Sequence, residues 1–143
     1  WGWWIINGAT TLLENWDTNA TKDISDNHMM FGEIGAWFFK GLGGIFPDSE
    51  RPGFKHIILR PHFTKELEHF EAKHDSPHGT IISKWIWNKD KTELTYTIQV
   101  PPNCIASLFL PDNIEGEKVI KMEAGEYVFN LSEEKETKQR GIR

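Results

Sequence analysis

The sequence predicts an α+β chain in which a few helices precede an antiparallel β-sandwich. Apolar residues recur at helical spacing between residues 28 and 41, whereas beyond residue 54 they alternate with polar residues at a period of two. About seven short strands with closely spaced turn residues are typical of two packed antiparallel sheets. A stretch rich in turn formers, FPDSERPG at residues 46–53, separates the two patterns and indicates a boundary.

The helical part begins with the apolar run WGWWIIN, which Gly8 ends. We expect this run to be the last turns of a helix, and the chain to be cut from a longer protein. A second helix is expected over residues 28–41, capped by Asp26 or Asn27. Its buried face is predicted to comprise Met30, Ile34, Trp37, Phe38 and Gly41.

The strands of the sandwich are expected at residues 55–60, 66–74, 79–87, 93–100, 104–110, 118–122 and 127–131. The fourth strand alternates most cleanly, so that its core face is predicted to carry Leu94, Tyr96, Ile98 and Val100. The single cysteine, Cys104, is expected to be a small apolar core residue. Residues 132–143 are almost entirely polar and are expected to be frayed.

The charge pattern argues against two classes of binding partner. The net charge is −5, and Lys and Arg do not cluster outside the C-terminal tail. The sequence therefore lacks the electrostatic footprint of a protein that binds nucleic acid or an anionic membrane. Neither a charged leader followed by an apolar run nor a long apolar span is present in the sequence.

One carboxylate, Glu14, lies beside Trp16 in the stretch GATTLLENWD, with Trp3 and Trp4 just upstream. Aromatic rings stack on the apolar faces of sugars, while a carboxylate protonates the leaving oxygen or activates a water. This pattern suits glycoside hydrolysis, with Glu14 as a catalytic group and Trp4 and Trp16 against the sugar. On the residues alone, the preferred interpretation is an ordinary, partly exposed glutamate beside core tryptophans.

Asn27 and His28 stand at the start of the second predicted helix. They could present an amide and an imidazole to sugar hydroxyls, or they could be a capping residue and a histidine in the first turn. Four nearby acids are candidate partners of Glu14, and each also suits a solvated or capping role: Asp17, Asp23, Asp26 and Glu33.

Five of the six histidines lie in the β region, which raises the question of a metal site. His74 and His78 are four residues apart, but a Ser-Pro turn intervenes, so no helix can align their rings. We expect strand and turn histidines and no metal site.

Trp85 and Trp87 alternate along one strand and share a face with Ile81 and Ser83. Such a pair could form a carbohydrate-binding platform on the surface. A core face is the preferred interpretation, because the neighbours on this face are small or aliphatic.

The order of several motifs resembles a known family. The motifs are WGWWIINGATTLLENWD, NHMMFGEIGAWFFKGLGGIFPDSERPGFKHIILRP, SPHGTIISKW and VPPNCIASLFLP. Together they resemble the C-terminal end of the bacterial α-L-rhamnosidases, the inverting glycoside hydrolase family 78, from Trp1 to about Leu131.

This resemblance implies the last helices of an (α/α)6 catalytic barrel at residues 1–48, a β-sandwich at residues 49–131 and a frayed tail at residues 132–143. The parent protein would release terminal α-L-rhamnose from glycosides or polysaccharides without a cofactor. A periplasmic or extracellular location is favoured over a cytoplasmic one. The alternative function is a non-catalytic carbohydrate-binding or structural β-sandwich module.

The resemblance also assigns roles within the motif G-A-T-T-x-x-E-x-W. Glu14 matches the general base that activates the attacking water, and Trp16 and His28 match positions that line the rhamnose pocket. Leu13 departs from the family, in which a tryptophan commonly precedes the glutamate. The general acid of the family lies in an upstream motif that nothing in this chain matches.

We therefore expect the chain alone to be inactive. We also expect it to self-associate through residues 1–46, because apolar faces that meet other barrel helices would be exposed.

Overall fold

The structure is a computed structural model that describes residues 1–16 and 25–133. The chain divides into two compact units, of which the first is Trp1–Trp37 and the second begins at Phe38. Two of the candidate acids, Asp17 and Asp23, and most of the polar loop around them lie outside the described residues, as does the tail from residue 134 onward. None of the helices in the described ranges combines the length and apolarity needed to span a bilayer.

The first unit contains a short α-helix α1 (Gly2–Ile6), a 3₁₀ helix (Met29–Glu33) and a second short helix α2 (Ile34–Trp37). The predicted end of the first helix is confirmed, because Gly8 adopts a left-handed φ of 80° and its N–H closes on the carbonyl of Ile5 at 3.1 Å.

The second helix differs from the prediction in regularity and in its cap. Residues 29–42 form 3₁₀, α and π turns in succession instead of one α-helix, and the π turn Phe38–Leu42 opens the second unit. Glycines within the helix lower its α-helical propensity. The N-cap is His28, without a side-chain cap bond, because the first turn begins at Met29. The predicted capping by Asp26 or Asn27 is therefore wrong.

The predicted buried face of this helix is also wrong. Met30 is 66% exposed, Trp37 50% and Phe38 43%. The spacing of the apolar residues predicts which face of the helix suits burial. In this chain, those three side chains are largely exposed to solvent.

The second unit is a sandwich of two four-stranded sheets with the orders β1-β2-β6-β7 and β3-β4-β5-β8. The strands are β1 (Ile45–Pro47), β2 (His56–Leu59), β3 (His69–Ser76), β4 (Gly79–Trp87), β5 (Glu93–Val100), β6 (Ile105–Phe109), β7 (Val119–Met122) and β8 (Gly125–Ser132).

Two features of the first sheet were not predicted. Phe46 and Pro47, expected in a linker, belong to β1, which pairs with β2 at the register Phe46↔Ile58. The pairing of β2 with β6 is parallel, whereas every strand was expected to be antiparallel. The chain leaves β2, builds three strands of the other sheet and returns as β6, so no hairpin dictates the direction of the return.

The core lies between the sheets and follows the alternation of the strands. Leu94, Tyr96, Ile98 and Val100 are all buried, as predicted. Trp85 is fully buried and Trp87 is 5% exposed, so the surface platform considered for these rings is excluded. Their indole N–H groups donate to the carbonyls of Leu42 and Thr64, both at 3.0 Å. Cys104 is buried in the same core, as expected.

Candidate active site

The carboxylate of Glu14 is held by two segments of the first unit that run side by side. The backbone N–H of Glu14 donates to the carbonyl of Ser25 at 2.9 Å. In return, the N–H of Ser25 donates to Glu14 Oε2 at 2.7 Å. The side chain of Glu14 is 42% exposed, so the carboxylate is fixed by a charge-assisted hydrogen bond and still open to solvent.

His28 is brought to the same place by the same pairing of segments. Its backbone N–H donates to the carbonyl of Leu12 at 2.6 Å, and the hydroxyl of Thr11 donates to the carbonyl of Asp26. His28 Nδ1 then lies 3.9 Å from Glu14 Oε2. This distance is too long for a direct hydrogen bond, but a small displacement or a bridging water would connect the two groups.

An aromatic cluster lies next to this carboxylate. Trp16 stacks on Trp4 with ring centroids 4.4 Å apart and an interplanar angle of 16°. Phe31 meets Trp4 edge-on at 5.5 Å, and Trp1 meets Trp16 edge-on at 6.5 Å. Trp16 is 51% exposed, so part of its ring remains open for a ligand.

Trp4 occupies a different position from the one its predicted role requires. It is only 2% exposed, and its indole N–H donates to the carbonyl of Asn15 at 3.2 Å. This burial argues against the predicted direct contact of Trp4 with a sugar. The geometry instead makes Trp4 the support on which Trp16 rests.

The remaining candidates within the described residues are Asn27, which was expected to present its amide to a sugar, and two acids considered as partners of Glu14, Asp26 and Glu33. The backbone N–H of Asn27 donates to the hydroxyl of Ser25 at 3.2 Å. In the described ranges, no hydrogen bond or ion pair joins the side chain of Asp26 or Glu33 to Glu14. Sequence reasoning did not identify Ser25, because a backbone N–H donor leaves no signal in residue type.

Metal ligation was also considered for the histidines of the β region. Within residues 1–16 and 25–133, no group of three or more His, Cys, Asp or Glu side chains is arranged to hold a metal ion. His74 packs on Phe54 with ring centroids 4.4 Å apart. His56 instead contacts Asp48 and Ser107, a cluster that the sequence patterns did not reveal.

In chemical terms, the site combines an ordered and accessible carboxylate, a nearby imidazole and a half-exposed indole. A carboxylate in such a setting can accept a proton from a water molecule. An indole of this kind can hold the apolar face of a sugar. The arrangement thus supplies one carboxylate of the two that glycoside hydrolysis uses.

Two family models match the chain. The model described as the bacterial alpha-L-rhamnosidase 6 hairpin glycosidase domain matches residues 1–42. The model described as the bacterial alpha-L-rhamnosidase C-terminal domain matches residues 44–125.

Individual relatives agree with these models. An alpha-L-rhamnosidase from Alteromonas sp. is 31% identical over 92% of this chain and 16% of its own length. One from Streptomyces avermitilis is 30% identical over 78% of this chain and 11% of its own length. The chain therefore spans less than a fifth of these relatives.

Solved structures show the same relationship. An alpha-L-rhamnosidase from Dictyoglumus thermophilum superposes with a TM-score of 0.79 and 27% identity, over 92% of this chain and 17% of that one. The Streptomyces avermitilis alpha-L-rhamnosidase complexed with L-rhamnose gives 0.77 and 27%, over 91% and 14%. The predicted order of final barrel helices followed by a β-sandwich is confirmed. The chain belongs to the bacterial α-L-rhamnosidase C-terminal domain family, joined at its N-terminal side to the end of the six-hairpin glycosidase domain.

Proposed function

We propose that this chain is the C-terminal part of an inverting glycoside hydrolase that releases terminal α-L-rhamnose from glycosides or polysaccharides. One observation carries the proposal. The ordered carboxylate of Glu14, beside half-exposed Trp16, lies in the segment that matches the six-hairpin glycosidase domain. The proposed partners are rhamnose-containing substrates.

In this proposal Glu14 is the general base. The Ser25 N–H engages Oε2, and we assign the attacking water to the remaining oxygen of the carboxylate. As the water attacks the anomeric carbon, its proton passes to Glu14 and the glycosidic bond breaks on the opposite face of the sugar.

His28 and Trp16 are assigned to orientation of the sugar. His28 lies close enough to Glu14 to hydrogen-bond a sugar hydroxyl or a water that also contacts the carboxylate. Trp16, immobilised by its stack on Trp4, offers a rigid surface for the apolar face of rhamnose. We assign Trp4 the supporting role that its burial favours.

An inverting site needs a general acid about 6.5–9.5 Å from the base, with the water between them. We propose that this acid comes from a part of the parent enzyme outside these 143 residues. The chain alone is then expected to lack rhamnosidase activity, even with Glu14 as its proposed base.

The test replaces Glu14 by Gln in the full-length parent. Loss of the base is expected to lower kcat/KM for an aryl α-L-rhamnoside by roughly 10²- to 10⁴-fold. Glu33→Gln is the matched control, because it removes a carboxylate from the same unit without touching the Glu14 contacts. The control should stay within about twofold of the parent enzyme.

Rescue by azide distinguishes a catalytic role of Glu14 from a merely structural one. This anion attacks without a general base, so it should restore turnover of the Glu14→Gln enzyme and form a β-rhamnosyl azide. Activity of Glu14→Gln within a few-fold of the parent, or a first product with retained α-configuration, would refute the assignment.

The isolated chain provides a second comparison. A binding module of the sandwich would need an exposed platform, and Trp85 and Trp87 are in the core. Calorimetric titration of the 143-residue chain with rhamnose is expected to show no saturable binding. Saturable binding that survives loss of both Glu14 and Trp16 would favour a carbohydrate-binding module instead.

A further inference from the structure

A pocket of about 520 Å³ opens on the outer face of the first sheet of the sandwich. Its wall combines polar and apolar side chains: Asp48, Arg51, His56, Ile105, Ser107, Lys121 and Met122 are among them. The volume lies in the range of small-molecule sites. All the residues that line the pocket belong to the second unit, and none of them is a residue of the Glu14 site.

Three of these side chains form a continuous hydrogen-bonded series, here called the Asp48 relay. Asp48 Oδ2 lies 2.7 Å from His56 Nδ1, and His56 Nε2 lies 2.9 Å from Ser107 Oγ. Ser107 is one of two buried polar side chains of the described sandwich, although it is on the face that points away from the core.

The strand pattern explains why the relay assembles. Ile57 in β2 and Ala106 in β6 point into the core, so the alternation turns His56 and Ser107 outward. The parallel register sets His56 opposite Ile105, two residues before Ser107 and on the same face. A backbone hydrogen bond of 3.3 Å from the N–H of Asp48 to the carbonyl of His56 brings the acid alongside.

With His56 in its neutral form, the two hydrogen bonds have one consistent direction. The N–H of Glu50 donates to Asp48 Oδ1 at 3.0 Å. This hydrogen bond is the largest cause that holds the pKa of Asp48 below its ordinary value, and the hydrogen bond from His56 is the next largest. Asp48 is therefore an acceptor, which places the proton of neutral His56 on Nδ1. Nε2 is then an acceptor, and the hydroxyl of Ser107 must donate to it.

A serine that donates to an imidazole backed by a carboxylate is arranged as an activated nucleophile. Positive charge for an oxyanion is also close, because Lys121 stands directly opposite Ser107 in the β6–β7 register. The backbone N–H groups of β6 are committed to its two neighbouring strands, so Lys121 is the candidate donor.

We propose that Ser107, His56 and Asp48 form a second catalytic site, which hydrolyses small neutral carboxylic esters that fit the pocket. Ser107 Oγ attacks the carbonyl carbon and gives its proton to His56 Nε2. The alcohol leaves with that proton, which yields an acyl-serine. Water then attacks the acyl group, loses its proton to His56 and releases the carboxylic acid, and the proton returns to Ser107.

The first test uses the 143-residue chain with a fluorophosphonate probe and p-nitrophenyl acetate. We expect one probe per chain, located on Ser107 by peptide mass spectrometry, and slow release of p-nitrophenol. Ser107→Ala should abolish both signals, and His56→Gln should lower both by roughly 10²- to 10⁴-fold.

Ser132→Ala is the matched control, because that hydroxyl donates to the carboxylate of Glu115 at 2.9 Å but lies outside the pocket wall. It should label as the unaltered chain does. Lys121→Met, at an exposed position, should slow acylation and leave the circular dichroism spectrum unchanged.

Absence of labelling in a folded chain, or labelling that survives Ser107→Ala, overturns the proposal. The outcome is independent of the rhamnosidase assignment, because Ser107→Ala in the full-length parent should leave cleavage of an aryl rhamnoside unchanged.

Discussion

Gly44→Ala is expected to destabilise the sandwich severely, because Gly44 meets two separate constraints. Its φ of +67° lies in the left-handed region, which side chains with a Cβ rarely adopt. A Cβ at this position would also fall closer than 3.0 Å to backbone atoms of Arg60 and Pro61. Neither neighbour can rotate away, since the carbonyl of Gly44 accepts the N–H of Arg60 at 2.8 Å.

The two constraints give an order of magnitude. Left-handed strain costs about 1–2 kcal/mol for an ordinary residue. Insertion of a methyl group into a tight site costs about 1–3 kcal/mol more. The expected loss in the free energy of unfolding is therefore about 2–5 kcal/mol, less about 0.4–1 kcal/mol from the reduced entropy of the unfolded chain, which is a large part of the stability of an ordinary domain.

Gly53 is a matched control that separates the cost of the left-handed backbone from the cost of the close contact. Its φ is +83°, but a Cβ there would have no atom within 4 Å. Gly53→Ala should lose only the strain, offset by about 0.4–1 kcal/mol from the reduced entropy of the unfolded chain. The net loss is expected to be about 1 kcal/mol or less.

The assay is equilibrium urea denaturation followed by far-UV circular dichroism. Gly44→Ala should fall about 1–3 kcal/mol below Gly53→Ala, the contact term alone, at an unchanged m-value. Equal losses in the two variants would show that the contact with the Arg60–Pro61 backbone has no energetic weight, and would refute the reasoning.

Three further outcomes are expected. Tyr96→Phe should cost about 0.5–1.5 kcal/mol in urea denaturation, because its buried hydroxyl shares a 3.0 Å hydrogen bond with a buried serine; an unchanged midpoint would contradict this. Hydrogen bonds from a backbone N–H, the larger cause, and from an imidazole hold the pKa of Asp48 below its ordinary value of 3.8. The stabilisation that the Asp48 carboxylate provides is therefore present above pH 3.8 and is lost as the pH falls below it. The stability gap between the unaltered chain and Asp48→Asn should therefore narrow as the pH falls below about 3.8, and a constant gap would count against it. By sedimentation velocity at tens of micromolar, the chain should self-associate through residues 1–46; Ile6→Glu should weaken this association, whereas Val128→Glu, also at an exposed apolar position, should not.

The strands were predictable because alternation directly reports burial of one face. The prediction over residues 93–100 matches β5 from end to end, and the predicted core residues of that strand are all buried. β1 was missed because it has only three residues and ends in Pro47, a residue that usually marks a turn. The parallel pairing of β2 with β6 was missed because strand direction depends on tertiary contacts that no local pattern records.

The sequence predicts residues for the candidate site, but the geometry of these residues could not be predicted from it. Sequence patterns selected Glu14, Trp16 and His28, and the structure places the first and last of them 3.9 Å apart. The pairing with Ser25 arises from backbone atoms, which carry no residue-specific signal. Periodicity likewise identifies an apolar face on residues 28–41 without indicating whether its neighbours belong to the same chain.

The two units differ in how much of their own apolar surface they bury, and this difference raises the question of what holds Glu14 in place. The hydrophobic cluster of the sandwich begins at Leu42, whereas in the described part of the first unit Trp4 is the one fully buried hydrophobic side chain. The contacts that hold Glu14 are nevertheless hydrogen bonds between residues 12–14 and residues 25–28, two between backbone groups and one from the backbone N–H of Ser25 to the Glu14 carboxylate. Such contacts do not require burial of the apolar surface of the first unit. We therefore infer that the carboxylate of Glu14, the proposed base, is organised locally by its contacts with residues 25–28.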